Sequence, residues 1–101
     1  MNNMETTFTF RNMDSTEALK EHSLEKLGKL DKYMIKPSSA HIIFNLDGSE
    51  HVAEITLNVK GSRLVGVGKS NDMYTSIDEA VEKIKKQVGR AKERMKGHKG
   101  E

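Results

Sequence analysis

Two runs of alternating apolar residues lie almost back to back in the middle of the chain: Ala40, Ile42, Phe44 and Leu46, then Ala53, Ile55, Leu57 and Val59. A period of two places each run on one face of a strand. The Asp47-Gly48-Ser49-Glu50 link between them carries an Asp-Gly turn signal, so the pair reads as an antiparallel hairpin. The chain is thereby committed to a sheet with one apolar face, and that face must be covered by something else. The off-beat residues Glu54, Thr56, Asn58 and Lys60, with Thr7 and Thr9 upstream, predict that the opposite face meets water.

The flanking segments supply the cover. Phe8 and Phe10 alternate with Thr7, Thr9 and Arg11 as a short strand, broken by residues 12–15. From about Thr16 to Met34 the period lengthens: Leu19, Ser23, Leu27, Leu30 and Met34 recur at three- and four-residue steps, as an amphipathic helix requires. Asp14 or Thr16 can cap its start, and Lys36-Pro37-Ser38-Ser39 ends it. Lys60-Gly61-Ser62 turns the chain into a further strand, Arg63 to Lys69, after which Asp72 caps a long helix from about Met73 to Lys96. The order is β-α-β-β-β-α, and 101 residues leave room for one core. The expected fold is α+β: a two-layer sandwich in which a four-stranded mixed sheet carries two helices on one face. One domain spans residues 1–96, followed by a flexible tail at 97–101.

Several chemistries are hard to place on this chain. It has no cysteine, which excludes disulfides, thiolate metal sites and cysteine nucleophiles. The start, MNNMETTFTF, lacks a basic and apolar leader, and no run approaches the ~18 apolar residues of a membrane span. A cytoplasmic protein without membrane contact is the expectation. His22, His41, His51 and His98 fit no metal-ligand spacing, and Glu79, Glu82 and Glu93 are expected on the solvated outer face of the second helix. Gly66-Val67-Gly68-Lys69-Ser70 resembles the end of a phosphate-binding loop, but the first glycine of that pattern falls on Arg63 and the stretch reads as strand. Its glycines are better explained by close approach of another element to the strand. No enzyme, cofactor or metal is expected.

Charge carries the functional signal. The net +2 hides an asymmetry: residues 83–99 hold eight Lys or Arg against the single acid Glu93, a charge of +7, which leaves −5 for the rest. In helical projection Ile77, Val81, Ile84, Val88, Ala91 and Met95 form the buried stripe. Lys83, Lys86, Gln87, Arg90 and Arg94 line one flank of it, and Lys85, Lys92 and Lys96 the other. The first helix repeats the device with His22, Lys26, Lys29 and Tyr33 on a flank and Lys32 outside. So many like charges with few acids at i±4 repel one another, and a phosphate backbone relieves that repulsion. A merely solvated helix and a helix paired with an acidic protein are the competing readings. The three Phe occupy core beats, so no aromatic platform for single-stranded bases is expected; rigid rows of Lys and Arg suit folded RNA, read by shape. The acidic remainder is expected to face away from the RNA.

Arg11-Asn12-Met13 leading into EALKEHSLEKLGKLDKY, the hairpin, and above all GKSNDMYTSIDEAVEKIKKQVGRAKERMK resemble the ribosome hibernation promoting factor and ribosome-associated inhibitor (protein Y) family, over about residues 4–96. That family's fold is β-α-β-β-β-α and resembles a double-stranded RNA-binding domain. The resemblance implies a non-catalytic stasis factor that sits on the small ribosomal subunit between head and body, where mRNA and the A- and P-site tRNAs bind. It also implies that Lys26, Lys29, Lys32, Lys83, Lys86, Gln87, Arg90 and Arg94 face ribosomal RNA, and that Asp72 and Tyr74 cap and pack the second helix. Ending soon after that helix, the chain is similar to short family members, which work with a separate small modulation factor to pair ribosomes; the chain itself is expected to be a monomer off the ribosome. A general duplex-RNA binder without ribosome preference is the alternative. Glu17, where many relatives carry proline, and Ser23, where they carry an aliphatic residue, are expected to weaken the first helix locally.

Overall fold

The computed structural model describes residues 4–33 and 36–100, with side chains for all of these but 33 and 89–100. The elements are β1 (Glu5–Arg11), α1 (Glu17–Gly28) continued by a 3₁₀ segment (Lys29–Tyr33), β2 (Ser39–Asp47), β3 (Glu50–Val59), β4 (Ser62–Ser70) and α2 (Met73–Gly100). The strands form one sheet in the order β1-β2-β3-β4. β1 runs parallel to β2, while β2–β3 and β3–β4 are antiparallel, so the sheet is mixed as the periodicities predict.

The hairpin register fixes which residues are core. Phe44 lies opposite Ala53, Ile42 opposite Ile55 and Ala40 opposite Leu57, and all six are buried. Phe10 stacks on Phe44 at a centroid distance of 4.7 Å and Phe8 at 6.2 Å, tying β1 to the same face. The loop is shifted by one residue from the Asp-Gly signal: Asp47 pairs with Glu50, leaving Gly48-Ser49 as the two-residue connection. Gly48 takes φ +65° at the first loop position, where the primed turns that match strand twist need a positive φ.

Thr16, not Asp14, caps α1: its Oγ1 accepts from the Leu19 amide at 3.1 Å. Leu19, Ser23, Leu27 and Leu30 are buried as the stripe requires. Ser23 is tolerated there because its hydroxyl donates to the Leu19 carbonyl at 2.9 Å, a backbone bond that satisfies the buried oxygen. Asp72 caps α2 through its Oδ2, which accepts from the Thr75 amide and hydroxyl, both at 3.0 Å. Ile77, Val81, Ile84 and Val88 are buried, joined by Met73, Ser76 and Ala80; Ala91 and Met95 lie outside the described side chains. α2 extends to Gly100, so residues 97–100, read from sequence as tail, continue the helix.

Gly66 and Gly68 explain how closely α2 lies on the sheet. A Cβ on Gly66 would overlap the carbonyl oxygen of Ala80, and one on Gly68 that of Ser76. The absent side chains let helix backbone rest on strand backbone. Ser76, fully buried, fastens the contact by donating to the His51 carbonyl at 2.6 Å. The opposite sheet face carries Thr7, Thr9, Glu54, Thr56 and Asn58 as expected, but also Ile43, Val52, Val65 and Val67. There His41 sits between Thr7 and Thr9 and contacts both hydroxyls through its two ring nitrogens.

Candidate nucleic-acid interface

Basic side chains from both helices meet at the seam between them, three from the first and one from α2 among the described residues. α1 and its 3₁₀ continuation run beside α2 and leave a groove of about 250 Å³ with Leu30 and Val81 among its lining residues. Lys26, Lys29 and Lys32 enter it from the first helix and Lys85 from α2. The helical break at Lys29 matters here, because the tighter 3₁₀ winding carries Lys29 and Lys32 onward while keeping Leu30 buried. Three of the lysines expected at the RNA, Lys26, Lys29 and Lys32, therefore share one concave surface, and Lys86 stands exposed on α2.

The other residues of the expected set are placed differently. Lys83 and Gln87 lie on the flank of α2 that faces away from α1, over β4. Lys83 Nζ donates to the Val67 carbonyl at 2.7 Å and Gln87 Nε2 to the Val65 carbonyl at 2.8 Å. Arg90 and Arg94 belong to α2, with side chains outside the described set. Lys85, which belongs to the other flank in projection, is the α2 lysine that joins the groove. It could have been found from sequence by asking which flank of α2 must face α1.

Acidic groups lie inside this surface, contrary to the expectation that they face away. Asp78 and Glu82 both line the groove. Asp78 Oδ1 accepts from His22 Nε2 at 2.8 Å and has Lys26 Nζ at 3.8 Å, so it clasps α1 to α2; Glu82 pairs with Lys85 at 3.4 Å. Such half-exposed pairs contribute about 0–1 kcal/mol each, and their larger effect is to orient the lysines. Glu79 also departs from the solvated role expected of it, because its Oε1 accepts from the Lys69 amide at 3.1 Å. Tyr74 sets the edge of its ring against His22, with centroids 5.0 Å apart, and keeps 40% of its surface exposed.

Among the described residues no cluster of His, Cys, Asp and Glu is arranged to hold a metal ion, and no helix is long and apolar enough to cross a membrane. What the surface offers is cationic: ammonium groups on a rigid two-helix platform, suited to phosphates at fixed spacing.

Comparison with known proteins gives this geometry a context. Ribosome hibernation promoting factor from Salmonella typhimurium is 30% identical over 95 residues, covering 94% of this chain and the whole of that protein. The Escherichia coli protein of the same name is 28% identical over the same span. Among solved structures, the N-terminal domain of Thermus thermophilus Protein Y superimposes with a TM-score of 0.78 at 30% identity, covering 89% of this chain and 98% of that one. A ribosomal subunit interface protein from Coxiella burnetii gives a TM-score of 0.78 at 26% identity, covering 88% and 98%. The family profile described as "Sigma 54 modulation protein / S30EA ribosomal protein" matches residues 6–96. With the family profile matched from β1 into the last turns of α2 and the backbone superimposing on a solved relative over most of the chain, the chain belongs to the Sigma 54 modulation protein / S30EA ribosomal protein family.

Proposed function

We propose that this protein is a ribosome hibernation factor of the cytoplasm that lays its two basic helices on small-subunit ribosomal RNA and silences the ribosome by occupancy. In this reading it fills the channel used by mRNA and by the A- and P-site tRNAs, stabilises the inactive particle and performs no chemistry. The observation that carries it is the cluster of Lys26, Lys29, Lys32 and Lys85 along the seam between the helices, with Lys86 exposed elsewhere on α2, on a fold whose relatives carry hibernation and subunit-interface names. Arg90 and Arg94, further along α2, are proposed to join the contact. Lys83 and Gln87 are part of the proposed contact only if they leave their strand carbonyls, which costs each a hydrogen bond worth about 0.5–1.5 kcal/mol. The chain is a monomer off the ribosome and shares the particle with a separate small modulation factor.

Co-sedimentation of the purified protein with small ribosomal subunits across a salt series tests this. About six phosphate contacts predict a slope of log affinity against log salt of roughly −4 to −5. Absence of binding at low salt would refute the proposal. Displacement by excess duplex RNA would instead mark a generalist RNA binder.

A further inference from the structure

β4 is the last strand of the sheet, and an edge strand turns a row of backbone donors and acceptors outward. Three of these groups are met by side chains of α2 spaced four residues apart. Glu79 takes the Lys69 N–H at 3.1 Å, Lys83 donates to the Val67 carbonyl at 2.7 Å, and Gln87 donates to the Val65 carbonyl at 2.8 Å. As the helix advances from 79 to 87 the strand retreats from 69 to 65, so the two run antiparallel. Their repeats are commensurate: four helical residues rise about 6 Å, and two strand residues about 6.6 Å. Each side chain also has the right polarity, an acceptor opposite the N–H and donors opposite the carbonyls. The Gly66 and Gly68 contacts hold the helix close enough for all three to reach.

We propose that Glu79, Lys83 and Gln87 form a cap that closes the β4 edge, and that this edge, when uncapped, pairs with β4 of a second copy of the chain. Antiparallel pairing of one edge with itself is two-fold symmetric, so a single surface supplies both halves. At its centre Val65 of one copy, 38% exposed, meets half-buried Val67 of the other, β-branched residues that stabilise cross-strand pairs, while Arg63 falls opposite Lys69 at each end, a like-charge pair whose repulsion makes the association strengthen with salt. The cap rests on helix and strand geometry and is independent of the ribosome reading. It assigns Lys83 and Gln87, two members of the basic flank, to closing the sheet.

Sedimentation of Glu79→Ala/Lys83→Ala/Gln87→Ala against the wild-type chain tests the cap, with Glu82→Ala/Lys85→Ala on the opposite flank of α2 as control. The triple variant is expected to dimerise with a dissociation constant at least tenfold below that of wild type, and the control to match wild type. Adding Val67→Pro should return the triple variant to monomer, because the residue 67 amide faces outward and its loss breaks no bond to β3. Should the triple variant not fold, Lys83→Met/Gln87→Met, which keeps both aliphatic stems over the strand, is read in the same way. A folded variant that stays monomeric, association that survives Val67→Pro, or a wild-type chain already paired through β4 overturns the proposal.

Discussion

Replacing Gly68 by alanine adds one methyl group at the point where α2 rests on β4. That methyl would overlap the Ser76 carbonyl oxygen and lie 2.9 Å from the Glu79 Cβ. Neither neighbour is the free end of a flexible side chain, so relief requires the helix to lift off the strand. Overpacking of a tight core costs about 1–3 kcal/mol, and more where backbone must move; the expectation here is a loss of about 3 kcal/mol or more. Against a typical domain stability of about 5–15 kcal/mol that is a large fraction. For a domain of about 100 residues it lowers the melting temperature by roughly 12–24 °C. Two other glycines calibrate the measurement. Gly28, at the end of α1, has nothing within 4 Å of the position a methyl would take, so Gly28→Ala should gain about 0.5–1 kcal/mol from reduced chain entropy. Gly61 is equally open but holds φ +74°, so Gly61→Ala should cost roughly 1–2 kcal/mol through backbone strain. Urea and thermal unfolding followed by circular dichroism give all three values. A Gly68→Ala stability within about 1 kcal/mol of Gly28→Ala would refute the close helix–strand contact, since a methyl in free space and one inside a carbonyl cannot cost the same.

Charge reversal at Lys86 and Arg90 should abolish co-sedimentation with small subunits while moving the melting temperature by no more than a few degrees, because both lie off the buried stripe in helical projection; unfolding would show that this face of α2 is misassigned. Asp78→Asn removes a negative charge from the groove and frees Lys26, so binding at low salt should tighten about threefold. The same variant should lose no more than about 1 kcal/mol of stability, and weaker binding would mean that orienting Lys26 and His22 matters more than the charge.

The apolar alternation and the helical stripes made the fold legible because each buried face is written in one segment. Ala40, Ile42 and Phe44 face Leu57, Ile55 and Ala53 with no ambiguity of register, since a slip of one residue would turn every one of them outward. The interface was legible only in part, because charge was read along the helix and not across the gap beside it. Lys83 and Lys86 are three residues apart and look alike in projection, yet one ends on the Val67 carbonyl and the other in solvent. The deciding information lay in Gly66 and Gly68, which bring β4 under that flank. Asp78, and Glu82 with its expected place on the solvated outer face, show the same limit: an acid in the middle of a basic surface becomes visible only when α1 and α2 are set side by side.

The mixed sheet divides the molecule in time as well as in space. β2, β3 and β4 are joined by two-residue loops and pair with immediate neighbours, so residues 39–70 can zip together by local contacts. β1 has to find β2 across the whole of α1, with Glu5 opposite Ser39, and it brings Phe8 and Phe10 to a Phe44 already in place. Closing that longer loop is the slower entropic step. On that ground the α1 half of the basic groove is expected to assemble last, when the first strand docks and draws Lys26, Lys29 and Lys32 up to α2.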